Sequence, residues 1–251
     1  MSGKIEIETI GLTKKFLGLA AVDNVDFVLY KGELKSIIGP NGAGKSTFFN
    51  MLCGNISPTK GKIFLEGEEI TGLSPNQIAR KGIARTFQQT SIFPRMNVFE
   101  NVRLSVQLGY NRKIPIFSSV ESFTDVTEKV RELLRLAGLD DKRNVIAENL
   151  SHGDQRLLQI AIALGINGKI LLLDEPTAGL SPKETIEFTD AIMMVKKTFV
   201  PTILFISHDM DVVMDISDSI TVFYEGRVLA TDFPKKISEN KEVQEVYLRL
   251  K

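Results

Sequence analysis

Short apolar runs alternate with amphipathic stretches along most of the chain. Ile5–Glu8, Val25–Leu29 and Leu34–Ile38 read as strands, the third running into a glycine-rich turn. A helix is predicted from Gly44 to about Cys53, with Gly54 as its C-terminal stop. Ile63–Leu65 reads as a further strand. Ser74-Pro75-Asn76-Gln77 then combines a capping residue, a proline at the first helical position and a glutamine three residues on, the opening of another helix.

The middle of the chain changes character. Val98, Val102 and Val106, with Phe99, form a stripe at helical spacing, and Ser122-x-x-Asp125 opens a helix that runs to about Ala137. Between them Gly109–Val120 is an insert bearing glycine and proline, to which the pattern assigns no element. From Ile170 strands and helices alternate again. Ile170–Leu173 and Thr202–Ile206 are strands, with a helix from Pro182 between them. A short helix follows near Asp211, then strands at Ile220–Tyr224 and Arg227–Ala230. Such alternation predicts an α/β fold with a largely parallel sheet. The helical middle, roughly 90–165, is expected to be inserted into that core.

Composition narrows the class. The chain has 251 residues, 43% of them hydrophobic and 25% charged, which suits a folded domain with a sizeable core. Lys and Arg number 31 and so do Asp and Glu, and this balance argues against nucleic acid as the main partner. The longest apolar run, Ile160–Ile166, has seven residues including a glycine, far below the roughly 18 that span a bilayer. The N-terminus lacks the apolar stretch of a signal peptide, and the single cysteine, Cys53, fits a reducing compartment. A soluble intracellular protein is the expectation.

Gly39-Pro40-Asn41-Gly42-Ala43-Gly44-Lys45-Ser46, followed by Thr47, fits G-x-x-x-x-G-K-[ST] between a predicted strand and a predicted helix. Glycines there let backbone N–H groups converge on phosphates, and the helix N-terminus adds partial positive charge. Lys45 is expected to reach the β- and γ-phosphates of a nucleoside triphosphate and the Ser46 hydroxyl to ligate Mg²⁺. A guanine-reading Asn-Lys-x-Asp is missing, since Asn240-Lys241 continues Glu-Val; GTP is therefore disfavoured.

Ile170–Leu173 ends in two carboxylates. Asp174 is placed to hold Mg²⁺ through water, and Glu175 to polarise an attacking water. Leu150-Ser151-His152-Gly153-Asp154-Gln155 opens the helix Gln155–Leu164. Ser151 with Asp154 is a capping box, and Ser151, the Gly153 N–H and the helix N-terminus also suit a second anion site; both readings hold together. The chain carries only two histidines, His152 and His208, and His208 follows an apolar strand at the carboxyl edge of the sheet, where ligands sit in open α/β folds.

With GPNGAGKST (39–47), LSHGDQ (150–155), LLLDEP (171–176) and ISHD (206–209) in this order and spacing, the chain resembles the ATP-binding subunits of ABC transporters. The resemblance implies a P-loop NTPase: a RecA-like core with a mostly parallel sheet (1–89 and 166–251), an antiparallel β subdomain, and an inserted α-helical subdomain (about 90–165) carrying the signature. It implies that Gln88 is the lid glutamine touching Mg²⁺ and the attacking water. It makes His208 the switch histidine that contacts the γ-phosphate and orients Glu175. Phe16 falls where the family stacks an aromatic on adenine; taken alone, the residue suits a core position equally well. Two departures stand out. His152 and Asp154 replace the third and fifth residues of the common LSGGQ, and Ala178-Gly179-Leu180-Ser181 replaces Ser-Ala-Leu-Asp. Ser181-Pro182-Lys183-Glu184 is itself a ready capping box.

Wording between the motifs (Ile83–Gln88, Val98–Asn101, Glu175–Pro182, Ser207–Asp211 and the closing Glu242–Leu248) is similar to the branched-chain amino-acid importer ATPases. The insert at Gly109–Val120 falls where those subunits carry extra residues, and no regulatory extension of the sugar-importer kind follows the last helix. The resemblance implies a head-to-tail pair with an identical or paralogous ATPase subunit, each ATP lying between one chain's Lys45 and the other's Ser151 and Gly153. It further implies two membrane-spanning permease subunits, indirectly a substrate-binding protein, and a peripheral place on the cytoplasmic membrane face. The segment Gln88–Leu108 is a candidate docking face, or equally a core-facing helix. A cassette of the same subgroup moving urea or an envelope lipid is the alternative. A soluble ABC protein of translation or DNA maintenance fits less well, because Lys45 and Ser151 lie too close in sequence to admit a long coiled coil.

Overall fold

The computed structural model describes residues 3–86, 92–109, 124–166, 168–199 and 201–248. The chain opens with a long antiparallel hairpin, β1 (Ile5–Phe16) and β2 (Leu19–Tyr30), closed by Leu17 and Gly18, both at positive φ (46° and 90°). Positive φ at both central residues matches the twist of the flanking strands. The fully buried β3 (Leu34–Ile38) then leads through the phosphate loop into α1 (Lys45–Leu52). β4 (Lys60–Leu65) and the two-residue β5 (Glu68–Glu69) complete a four-stranded antiparallel sheet ordered β2-β1-β4-β5. α2 (Pro75–Arg80) starts at the capping box Ser74–Gln77, and β6 (Ile83–Thr86) follows it.

Among the described residues three α-helices lie between β6 and the next strand: α3 (Val98–Gly109), α4 (Thr124–Leu136) and α5 (His152–Gly165). β7 (Ile170–Asp174), α6 (Pro182–Phe199), β8 (Thr202–Ile206), α7 (Met210–Ile216), β9 (Ser219–Tyr224), β10 (Arg227–Asp232), α8 (Pro234–Glu239) and α9 (Lys241–Leu248) end the described chain. The second sheet has six strands ordered β10-β9-β3-β8-β7-β6, parallel except for the β9–β10 hairpin. The mostly parallel sheet expected from the sequence is therefore present, accompanied by an antiparallel one. The insert Gly109–Val120 lies outside the described residues beyond Gly109.

β3, β7 and β8 are buried on both faces, as parallel strands covered on both sides must be. Their side chains divide by period two between separate apolar clusters. Leu171, Leu173, Ile203 and Phe205 join α3–α7 on one face. Ile170, Leu172, Leu204 and Ile206 join α1 and the antiparallel sheet on the other. α1 is thus sandwiched between the two sheets through Phe48, which meets Phe27 edge-on at 5.1 Å and Phe223 at 5.2 Å. The helical segment shares its core with the large sheet: Val98, Val102 and Val106 belong to the same cluster as Leu171 and Leu173.

Candidate functional site: a phosphate loop facing a glutamate–histidine pair

The carboxyl ends of β3, β7 and β8 meet at one edge, and each delivers a motif there. After β3 the loop turns on Gly39, Gly42 and Gly44, all at positive φ. A Cβ on Gly39 would lie 2.2 Å from the Phe223 carbonyl oxygen, and one on Gly44 would lie 2.3 Å from that of Ala21. The loop is therefore pressed against backbone from β9 and β2, and glycine is required for contact as well as for φ. Ala43 accepts a hydrogen bond from Gly226 N–H at 3.1 Å, fixing the loop from outside. Lys45 begins α1 and is buried, its Nζ donating to the Gly39 and Pro40 carbonyls at 2.6 and 2.9 Å. Burial pulls its pKa down, while the nearby Glu175 and Asp174 oppose that pull. Ser46 is exposed at the first turn of α1.

β7 ends in Asp174, 5% exposed. Burial pushes its carboxyl up and Arg85 holds it down, Nη2 donating to Oδ2 at 3.0 Å. Arg85 also donates through Nη1 to Asn50 Oδ1 at 2.6 Å, and Asn50 Nδ2 donates to the Ser46 carbonyl at 2.8 Å. Neither Arg85 nor Asn50 was assigned a role from sequence. The available signal was a charged residue inside the short strand beside the carboxylate strand.

Glu175 sits in the left-handed region at φ 48°, its N–H bonded to the Ile206 carbonyl at 2.9 Å. A non-glycine residue there stores strain of about 1–3 kcal/mol and is held by its surroundings. His208 Nε2 lies 2.8 Å from Glu175 Oε1, with side chains 44% and 30% exposed. The pair therefore opens outward. Asp209 fixes the backbone after His208, capping α7 by accepting the Val212 N–H at 3.2 Å.

Phe16 stands at the hairpin tip, 46% exposed, with Lys14 Nζ 5.2 Å above its ring; it is not a core residue. Gln88 lies outside the described residues. Ser151 caps α5, accepting the Asp154 N–H at 3.1 Å. Only half of the expected Ser151–Asp154 box forms, because the Asp154 carboxylate turns to Lys142 at 2.6 and 2.7 Å. The Ser181–Glu184 box is complete. Glu184 also accepts the Gly153 N–H at 3.3 Å. The Ser181 N–H and hydroxyl, then the Gly153 N–H, hold that carboxyl down at about 2. Among the described residues no hydrogen bond or ion pair joins Ser151 or Gly153 to the phosphate loop.

An apolar groove of about 370 Å³ is lined by Ile78, Ala79, Arg85, Leu104, Leu108 and Ile162. Phe93 and Leu108 remain exposed along it. The candidate docking segment thus divides residue by residue: Val98, Val102 and Val106 face the core, while Phe93, Leu104 and Leu108 line the groove. No helix among the described residues is long and apolar enough to cross a membrane.

The family model described as ABC transporter matches residues 22–178. The chain is 42% identical over 245 residues, 95% of each protein, to the high-affinity branched-chain amino acid transport ATP-binding protein LivG of Escherichia coli strain K12. The crystal structure of the ADP conformation of MJ1267, an ATP-binding cassette of an ABC transporter, superposes with a TM-score of 0.83 at 28% identity, covering 97% of this chain and 98% of that one. A dimeric post-hydrolysis structure of the cassette MJ0796 with ADP and Pi gives 0.75 at 26% identity, covering 91% and 98%. The loop, the paired carboxylates and the histidine thus stand on a fold shared with these proteins, and the chain belongs to the ABC transporter family as one of its ATP-binding cassettes.

Proposed function

We propose that this chain is the ATP-hydrolysing subunit of an importer for branched-chain or other hydrophobic amino acids. The observation that carries the catalytic part is the His208–Glu175 contact of 2.8 Å at the edge where the phosphate loop opens. In this reading the N–H groups of the loop 39–47 and Lys45 bind the phosphates, and Phe16 stacks on the base. His208 donates from Nε2 to Glu175 and fixes the carboxylate, and Glu175 takes up the proton of the attacking water as its oxygen bonds in line to the γ-phosphorus and the bond to the β–γ bridging oxygen breaks, releasing ADP and phosphate. Gln88 is assigned to the same water and to the metal by resemblance.

The Ser46 hydroxyl and the Asp174 carboxylate are hard oxygen donors of the class that magnesium takes. Mg²⁺ held there would neutralise charge on the transferred phosphoryl group.

Ser151 bonds to Asp154 and Gly153 to Glu184 rather than to the loop of their own chain, which supports their use in trans by a partner cassette, identical or paralogous. Glu184 then has to yield the Gly153 N–H to the incoming phosphate. The apolar groove beside α3 supports docking of two membrane-spanning permease subunits, which would place the cassette peripherally on the cytoplasmic face. A substrate-binding protein acts through them. We read the chain as one cassette, its core 1–89 and 166–251, with about 90–165 inserted. The cargo assignment rests on what the LivG relative transports. It is tested by reconstituting the chain with its membrane subunits and measuring ATP hydrolysis against added binding protein loaded with leucine, isoleucine or valine. Stimulation by these loads is expected. Intact hydrolysis that ignores all three would remove the cargo and leave the ATPase.

A further inference from the structure

Arg85 belongs to none of the nucleotide motifs, yet it bonds to Asp174 directly and connects to Ser46 through Asn50. It lies in β6 opposite Leu172 of β7, and its guanidinium engages acceptors on two different elements. Nη2 donates to Asp174 Oδ2 at 3.0 Å and Nη1 to Asn50 Oδ1 at 2.6 Å. Asn50 stands one turn after Ser46 on α1 and donates to the Ser46 carbonyl at 2.8 Å. A continuous set of hydrogen bonds therefore runs Ser46–Asn50–Arg85–Asp174, from the first turn of α1 to the end of β7. Both ends are the residues assigned to the metal. The Arg85 and Asp174 side chains are only 13% and 5% exposed, so their geometry is set by protein rather than by water. A planar fork can hold two acceptors at fixed spacing, which a single ammonium cannot. Binding Oδ2 also fixes the rotation of the Asp174 carboxylate and leaves Oδ1 for a metal-bound water.

We propose that Arg85, acting with Asn50, is a positioning residue that sets the Ser46–Asp174 spacing for the metal-bound nucleotide. The proposal rests on the ATP–Mg²⁺ reading of this site. Groups that orient a metal's ligands are worth about 10–100-fold in metal affinity, and Arg85 does this for Asp174, which reaches the metal through water.

The test uses the purified chain with ATP and Mn²⁺ as the spectroscopic probe. Mn²⁺ affinity of the protein–ATP complex is read by electron paramagnetic resonance, ATP affinity without divalent ion by equilibrium binding, and folding by thermal unfolding. In Arg85→Met, Mn²⁺ affinity should fall about 10–100-fold, with metal-free ATP affinity unchanged. Asn50→Ala should show a smaller loss of the same kind. Arg85→Lys, which keeps the charge without the fork, should not restore the site; it and Asn50→Ala carry the test if Arg85→Met does not fold. Unchanged Mn²⁺ affinity in a folded variant overturns the proposal, as does an equal loss of ATP affinity without metal. Full rescue by Arg85→Lys also overturns it, reducing Arg85 to a charge. A wild-type chain that binds no Mn²⁺ with ATP would instead overturn the underlying reading of the site.

Discussion

At the residue scale, the site depends on contacts that single atoms decide. His208 and Glu175 come from the ends of neighbouring strands and meet at 2.8 Å. Removing the imidazole leaves the carboxylate without its orienting donor, so His208→Ala should keep ATP affinity and lose about 100-fold or more in turnover. Phosphate release and equilibrium binding on one preparation check both halves. The glycines of the loop are not equivalent. Gly39→Ala drives a Cβ into the Phe223 carbonyl at 2.2 Å, whereas at Gly42 nothing lies within 4 Å. Gly39→Ala should therefore cost far more stability than Gly42→Ala, whose loss should stay near the roughly 1–2 kcal/mol of left-handed strain. Denaturant unfolding of the two variants compares them directly. At this scale the sequence pointed to the capping role of Glu184 toward Ser181, but not to its bond with Gly153, nor to Arg85 or Asn50. Their roles depend on which strand and helix come to lie beside them.

At the element scale, burial on both faces made some strands legible and bulges hid others. β3 and β8 coincide with the predicted Leu34–Ile38 and Thr202–Ile206, strands buried throughout, Lys35, Ser36 and Thr202 included. β1 extends to Phe16, well beyond the predicted Glu8, because register shifts between Thr9 and Leu12, Leu12 and Lys14, and Lys14 and Lys15 break the period-two pattern. β5 is two exposed glutamates and carries no pattern at all. α1 draws its stability from packing: Phe48 is fully buried between the sheets, and Phe48→Ala should destabilise by about 3–5 kcal/mol, readable by chemical denaturation. The cap of α6 gives a pH signature. Glu184 has its carboxyl lowered from 4.5 to about 2 by the Ser181 N–H and hydroxyl and the Gly153 N–H. A depressed carboxylate contributes stability that is complete above the unfolded value and lost as pH falls through the folded one. Thermal midpoints should therefore decline between about pH 4.5 and pH 2, and less steeply in Glu184→Gln, which keeps an acceptor for Ser181 without the charge. Equal slopes would remove Glu184 from the acid response.

At the whole-molecule scale, the sheet delivers the loop, the carboxylates and the histidine to one edge, while the signature residues cap a helix elsewhere and bond within their own neighbourhood. Under the proposed function, a chain arranged in this way would carry the cleaving half of a site and the closing half of another. The sequence order of the motifs is what suggests that division. It did not convey that the Glu184 carboxylate holds the Gly153 N–H, because Gly153 and Glu184 stand on different helices and meet only after folding. The most direct measurement on the central claim compares wild type with Glu175→Gln at saturating Mg-ATP, following nucleotide binding, particle mass and phosphate release together. Glu175→Gln is expected to bind ATP as wild type does, to gather into a nucleotide-bound pair of twice the 27.9 kDa chain mass, and to lose about 100-fold or more in turnover. Turnover near the wild-type rate in that variant would contradict the claim.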